Sequence, residues 1–308
     1  MTGVPTLSLS DFTSGDAAQR AAFSGALLRG LQRYGFFILK DHNVPVDLLD
    51  EAYQMAAAFF DQDIATKCQY ARGLRGYTPF GTEHAKGRTV ADLKEFWQLG
   101  REHYDPEAPD GDFAPNVWPE HPYAFEFVFK QLFAALDETG RLLLQALAPG
   151  LGLAPDYFDP LVKGGTSILR VLHYPPVPED APPGAVRSAA HEDINFITIL
   201  VAAKGAGLEL LDRDGTWLPV ETEPRNLIVD SGDMLARLTN GVIPATTHRV
   251  VNPAGPNVSR YSMPFFMHPT SDTPLDVLPS CIGDGAKFPP ITAGAFLAER
   301  LREIGLKT

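Results

Sequence analysis

The chain has 308 residues, 44% of them hydrophobic, with 26 basic against 38 acidic side chains and a net charge of −12. That length is enough to bury a substantial core, and the acidic balance has the wrong sign for a general nucleic-acid binder. No run approaches the roughly eighteen apolar residues of a membrane span, so no membrane contact is expected.

Met1-Thr2-Gly3-Val4-Pro5 lacks the basic and apolar regions of a signal peptide, which makes a cytoplasmic location the expectation. Cys68 and Cys281 are too few for a disulfide framework and read as reduced thiols. In chain order, apolar residues at helical spacing predict helices over Ala17 to Tyr34 and Val46 to Tyr70. Between them lies the apolar run Gly35-Phe36-Phe37-Ile38-Leu39. Arg101 to Pro122, rich in Pro and Asp, reads as a long surface loop. Ala124 to Leu147 reads as a long amphipathic helix that Pro149-Gly150 ends.

From Thr166 to His268 the texture changes to short β runs with turn punctuation. Pro175 to Arg187 reads as a loop beside the site. Gly205-Ala206-Gly207 lies between two strands, so it reads as a turn and not a dinucleotide loop. Asp212-Arg213-Asp214-Gly215-Thr216-Trp217 signals a hairpin. Ile291 to Leu306 reads as a last helix. The expected fold is α+β: a double-stranded β-helix, or jelly roll, inside a helical N-terminal shell and closed by a C-terminal helix. One domain is expected, with residues 1–160 mainly helical, 161–270 the jelly-roll core and 271–308 a C-terminal extension.

The chemistry concentrates in the β region. His191 and Asp193 form a His-x-Asp pair in a loop entering the strand Ile194 to Leu200, and residues i and i+2 of an extended chain share a face. Glu192 then points away as a bystander. His248 follows in a second β-rich stretch. Two imidazoles and one carboxylate suit a divalent iron held on one face, with the remaining positions open to small molecules and O2. A predicted hairpin, Asn252 to Asn257, leads to the strand Val258 to Met267, where Arg260, Ser262, Pro264 and Phe266 share one face. An inward arginine is costly to bury unpaired, so it implies an anion or an internal partner such as Asp230 or Asp233. Arg170, Leu172 and Tyr174 share a strand face as well. Arg170 is a candidate contact to an anionic substrate, or else a salt-bridged strand arginine.

Several segments in this order resemble the isopenicillin N synthase-like family of Fe(II)/2-oxoglutarate-dependent dioxygenases along the whole chain. They are Gly35 to Leu39, Arg75-Gly76-Tyr77, Asp92-Leu93-Lys94-Glu95-Phe96-Trp97, Tyr174-Pro175-Pro176, the His-x-Asp, Gly232-Asp233, Thr239-Asn240-Gly241, His248-Arg249-Val250 and Arg260-Tyr261-Ser262. The resemblance implies that His191, Asp193 and His248 bind Fe(II). It implies that Arg260 and Ser262, helped by Tyr174, hold the distal carboxylate of 2-oxoglutarate. Phe266 resembles a position that walls the substrate. The chain departs from the family pattern at Leu172, where many plant members carry asparagine, and at Asn195, where a glycine is common; Asn195 is expected to add a polar group near the iron. The implied reaction oxidises a small-molecule substrate with O2 by hydroxylation, desaturation or cyclisation, releasing succinate and CO2.

Three other readings fit parts of the pattern. An iron oxidase of the same family would grip its own substrate's carboxylate with Arg260 and Ser262 and use no 2-oxoglutarate. A noncatalytic jelly-roll binding protein has no need of an open-sided triad. A zinc hydrolase could share the donor set, but the chain has no His-Glu-x-x-His segment.

Overall fold

The structure is a computed structural model that describes residues 3–85, 87–102 and 114–303. Its N-terminal part contains β1 (Thr6–Ser8), α1 (Leu9–Thr13), α2 (Ala17–Tyr34), β2 (Phe36–Lys40), α3 (Val46–Phe60), α4 (Ile64–Cys68), β3 (Ala71–Arg72), β4 (Arg75–Thr78) and β5 (Glu95–Gly100). Next come α5 (Phe125–Leu147), α6 (Asp159–Val162), β6 (Ile168–Tyr174), β7 (Ser188–His191), β8 (Ile197–Lys204), β9 (Leu208–Leu211) and β10 (Trp217–Pro219). The chain finishes with β11 (Leu227–Ser231), α7 (Asp233–Leu238), β12 (His248–Val250), β13 (Arg260–Met267) and α8 (Ala293–Glu303).

Local chemistry sets the helix ends. Asp16 caps α2 by accepting from the Gln19 backbone N–H, while Gln19 Oε1 accepts from the Asp16 N–H. Gly35 closes α2 in the left-handed region at φ 65, with its N–H on the Leu31 carbonyl. The expected helix from Val46 to Tyr70 is two helices. Asp63 stops the continuation by accepting from the Thr66 N–H and hydroxyl, which caps α4 instead. In α5, Phe125, Val128, Phe129, Leu132, Leu136, Leu143 and Leu147 recur at helical spacing and are all buried. Gly140 lets this helix approach β13, since a Cβ there would lie 2.7 Å from the Met267 thioether.

Two sheets form the core. The larger has the order β1-β2-β11-β8-β13-β6-β5-β4-β3 and the smaller β10-β9-β12-β7. The region expected to be mainly helical therefore supplies five of the nine strands in the large sheet. Its central strands divide their residues strictly by parity. Leu169, Val171, Ile199, Val201, Leu227, Val229, Met263 and Phe265 pack among residues of α2, α3 and α5. Their neighbours on the opposite face, among them Leu172, Leu200 and Ile228, pack with Leu208, Leu210 and Val250 of the small sheet. Between the two sheets lies the cavity that holds the site.

The predicted hairpin from Asn252 to Asn257 is not one. β12 pairs with β7 and β9, whereas β13 pairs with β6 and β8, so the chain changes sheets there. The two asparagines brace neighbouring loops: Asn252 Oδ1 accepts from the Arg187 N–H, and Asn257 Oδ1 from the Val177 N–H. The turn from Asp212 to Trp217 does join the antiparallel pair β9 and β10. The loop from Pro175 to Arg187 links β6 to β7. Of the loop expected over Arg101 to Pro122, residues 103–113 lie outside the described residues, as does the end of the last predicted helix beyond Glu303.

Gly35 gives a direct check of this packing. A Cβ there would sit 2.0 Å from Thr246 Oγ1, at a positive φ that costs an L-residue about 1–2 kcal/mol before any clash. Gly35→Ala is expected to lower the urea midpoint by at least that equivalent at unchanged m-value; an unchanged midpoint would refute the close approach.

Candidate active site

β7 ends on His191, Asp193 lies in the loop that follows, and the apolar strand expected after the pair begins at Ile197 as β8. His248 opens β12 and stands directly opposite His191 in the small sheet. The two rings are 4.4 Å apart between centroids. His191 Nε2 and His248 Nε2 lie 3.7 and 3.9 Å from Asp193 Oδ1, and one ligand atom from each residue falls within 4.8 Å of the others. His191 Nδ1 donates to the Ala189 carbonyl at 2.8 Å and His248 Nδ1 to the Thr246 carbonyl at 3.1 Å. A carbonyl can only accept, so both lone pairs are fixed on Nε2 and face inward. Burial pushes the His191 imidazole down to about 4, which keeps it neutral at physiological pH.

The Asp193 carboxylate is braced from behind. Thr198 Oγ1 donates to Asp193 Oδ2, and Asn195 Nδ2 donates to Thr198 Oγ1 at 2.8 Å. Burial would raise the Asp193 carboxyl, but the two histidines and Thr198 hold it low. Asp230, opposite Thr198 on the next strand, has its carboxyl pushed well up by burial and by the Asp193 charge. Both effects favour its neutral form, in which it can donate to Asp193. Two neutral imidazoles and one carboxylate oxygen converging on a cavity fit a divalent iron. Asn195, expected near the iron, does not line the cavity: it is fully buried behind the wall, where it positions Thr198.

At the other end of the cavity sits Arg260, only 2% exposed, with Nε and Nη1 unpartnered. Tyr174 hydrogen-bonds its guanidinium, and the tyrosine ring lies 5.2 Å from it. Ser262 is buried two residues along β13. The internal carboxylate partners considered for Arg260 are engaged elsewhere: Asp230 faces Asp193, and Asp233 faces Glu192. Burial lowers the Arg260 guanidinium from its usual value, and no carboxylate offsets this. Buried charges are normally paired, so the orphaned donors describe a cradle for an anion.

The cavity measures ≈ 470 Å³. Along β13 its wall runs Arg260, Ser262, Pro264, Phe266, His268, and along β6 Ile168, Arg170, Leu172, Tyr174. Arg170 is paired, not free: Nε donates to Gln98 Oε1 at 2.6 Å, and Nη1 lies 3.2 Å from Glu83 Oε2. Its guanidinium lies 4.6 Å from the Phe96 ring and 5.7 Å from Phe266. Lys94 Nζ bridges Glu83 and Asp92, each at 2.8 Å, and Asp92 Oδ1 accepts from the Ala189 N–H. Burial would raise the Glu83 carboxyl, but Arg170 and Lys94 outweigh that and hold it at about 2. Glu192, expected to point away, lies at the rim and accepts from Thr247 Oγ1. Leu297 and Arg300 of α8 close the same rim.

Sequence reading gave no role to Glu83, Thr198 or His268, met Lys94 only within a family segment, and weighed Asp230 only as a partner for Arg260. Strand parity carried a signal for His268, which continues the alternation from Arg260 to Phe266. For Glu83 no local pattern exists, because it reaches the cavity from an irregular loop.

The Glu83 cluster predicts an acid-limb effect. Its folded carboxyl lies below the usual 4.5, so its contribution is full above that pH and fades as pH falls towards about 2. Glu83→Gln is expected to cost at most about 3 kcal/mol in urea unfolding at pH 6–7. The gap to wild type should close progressively below about pH 4.5. A gap as wide at pH 3 as at pH 7 would contradict the pairing.

Known proteins match along the same two halves. Residues 4–121 match the family model for the N-terminal region of the non-haem dioxygenases in morphine synthesis, and residues 165–269 that of the 2OG-Fe(II) oxygenase superfamily. A 2-oxoglutarate-Fe(II) type oxidoreductase of Emericella nidulans is 32% identical over 306 residues, covering 94% of this chain and 87% of its own. Among solved structures, a 2OG-Fe(II) oxygenase family protein from Caulobacter crescentus superposes with a TM-score of 0.88 at 43% identity, covering 99% of this chain and 100% of its own. A full-length Neurospora crassa protein, solved in complex with alpha-KG and thymine, gives 0.87 at 29%, with coverages of 97% and 96%. The convergent triad, the jelly roll around it and these matches together make the chain a member of the isopenicillin N synthase-like 2-oxoglutarate-Fe(II) oxygenases, a non-haem dioxygenase that uses Fe(II), 2-oxoglutarate and O2.

Proposed function

We propose that His191, Asp193 and His248 hold the iron, that Arg260, Ser262 and Tyr174 hold the distal carboxylate of 2-oxoglutarate, and that the Arg170, Phe266 and His268 end receives a small-molecule substrate. The observation that carries this reading is the pairing of an open-sided triad with a buried, carboxylate-free arginine on facing walls of one cavity. Residues 3–303 act as a single unit in this proposal, because the N-terminal strands are built into the sheet that forms the cavity wall.

When bound, iron and 2-oxoglutarate supply the oxidative chemistry, with succinate and CO2 as co-products. The chain's own residues do the orienting. The two Nδ1–H to carbonyl bonds present both imidazoles in the metal-binding tautomer, so no proton needs to move before iron is held. Thr198, at Oδ2, and Asp230 hydrogen-bond the Asp193 carboxylate, and Oδ1 faces the histidines. The guanidinium of Arg260, a planar group of several donors whose Nε and Nη1 make no hydrogen bond among the described residues, suits a carboxylate. The apolar walls, Phe36, Leu172, Leu200 and Phe266, limit water at the reacting end. The Neurospora crassa complexes hold thymine or 5-formyluracil beside alpha-KG, which supports a small organic substrate here.

Two measurements test the assignment. Asp193→Ala is expected to lose stoichiometric Fe(II) binding by metal analysis after anaerobic reconstitution and to abolish succinate formation; full activity would overturn the triad. In anaerobic titrations of the Fe(II)-loaded protein, the visible charge-transfer band of the chelate should saturate with 2-oxoglutarate in wild type. Arg260→Ala should need roughly thirtyfold or more cosubstrate, a loss of about 2–5 kcal/mol for a buried charge pair. An equal affinity in the variant would remove Arg260 from the cosubstrate site.

A further inference from the structure

The cations that line the cavity differ in charge accounting. Among the described residues Arg260 has no carboxylate partner, whereas Arg170 is already neutralised by Glu83, and Lys94 by Glu83 and Asp92. Among the described residues of that wall two cations meet two anions, so neither Arg170 nor Lys94 is left over for a substrate carboxylate. An acid placed there would have to displace Glu83 from two partners at once, in a setting where an unpaired buried carboxylate is costly. What the wall does leave free is neutral hydrogen bonding. Among the described residues Arg170 Nη2 has no partner, since Nε and Nη1 carry the bonds to Gln98 and Glu83. His268 is 6% exposed, lines the cavity, and has Nδ1 unpartnered. Its backbone is pinned by the Ser167 hydroxyl, which donates to the His268 carbonyl and accepts from its N–H, so the imidazole is held in place from behind.

The shape points the same way. Phe266 presents a half-buried ring between these two donors along the wall, and Ile168 and Pro264 flank it with apolar surface. Flat aromatic surface favours a flat partner. The ≈ 470 Å³ are shared with the cosubstrate, which restricts the remaining occupant to a small molecule.

Resting on the function proposed above, we infer that the substrate is an uncharged planar ring bearing carbonyl or ring N–H groups, lying on Phe266 and bonded by Arg170 Nη2 and the His268 imidazole. His268 is thus a specificity-determining residue, and the substrate is not an acid.

The test is equilibrium calorimetry on the intact protein loaded with Mn(II) and saturated with 2-oxoglutarate, without turnover. Two matched pairs of probes differ only in a carboxylate: nicotinamide against nicotinate, and uracil against uracil-6-carboxylate. The neutral member of at least one pair is expected to bind tenfold or more tightly than its acid. His268→Leu should weaken that neutral probe by about twofold to tenfold, the worth of one neutral hydrogen bond, and His268→Gln should restore part of the loss. The affinity for 2-oxoglutarate, titrated separately, should be the same in all three proteins. Tighter binding of the acids, no binding of either neutral ring, or indifference to His268→Leu would each overturn the inference while leaving the 2-oxoglutarate site intact. Loss of 2-oxoglutarate binding in wild type would instead overturn the function on which it rests.

Discussion

A strand has two faces, and the central strands of the large sheet give one to the helices and the other to the cavity. The wall that carries Arg260, Ser262, Phe266 and Arg170 follows from that division. Leu169 and Val171 cannot pack against α5 without turning Arg170 and Leu172 inward, and Phe265 cannot bury its ring without Pro264 and Phe266 facing the opposite way. A register slip of one residue would put Arg260 among the phenylalanines of the helical layer and Tyr261 in its place. The apolar core is therefore what fixes the polar wall, and the many buried contacts of α3 and α5 act on catalysis through strand register.

The small sheet works differently. It contributes few core residues, but its β7 and β12 place His191 and His248 opposite each other, and backbone carbonyls two residues upstream orient both rings. Charge is distributed with equal economy. The two histidines and Thr198 hold the triad's carboxyl low, while burial and the Asp193 charge push that of its neighbour Asp230 up. Two carboxyl groups this close cannot both carry charge in a dry site, and their different neighbours decide which one does.

Much of this was legible in the chain. Ala17 to Tyr34 and the span of α5 were readable from helical spacing, and Arg260, Ser262 and Phe266 from strand parity, because each signal is local. The triad needed only a short-range pair and one later histidine. The misses were of two kinds, short-range side-chain bonds overlooked and contacts between distant segments. The break between α3 and α4 depends on Asp63 outcompeting helix continuation with its own hydrogen bonds. The segment from Asn252 to Asn257 has the composition of a hairpin turn, yet its asparagines bind neighbouring loops and the chain crosses between sheets. Asn195 was near the right place in sequence but sits behind the wall, since its amide serves Thr198. Glu83 and Lys94 acquire meaning only when a loop and three strands meet.

The sheet edges remain. An open sheet of nine strands exposes two rows of unpaired backbone groups, a template on which a second molecule could stack. Here the outermost strands are the three-residue β1 at one end and the two-residue β3 at the other. In the small sheet the outer strand β10 has three residues and ends in Pro219, which has no N–H to offer. The long, strongly apolar strands needed to shape the cavity are all interior. The stubs at the margin thus act as a guard against aggregation, allowing so large a sheet to exist without recruiting its neighbours.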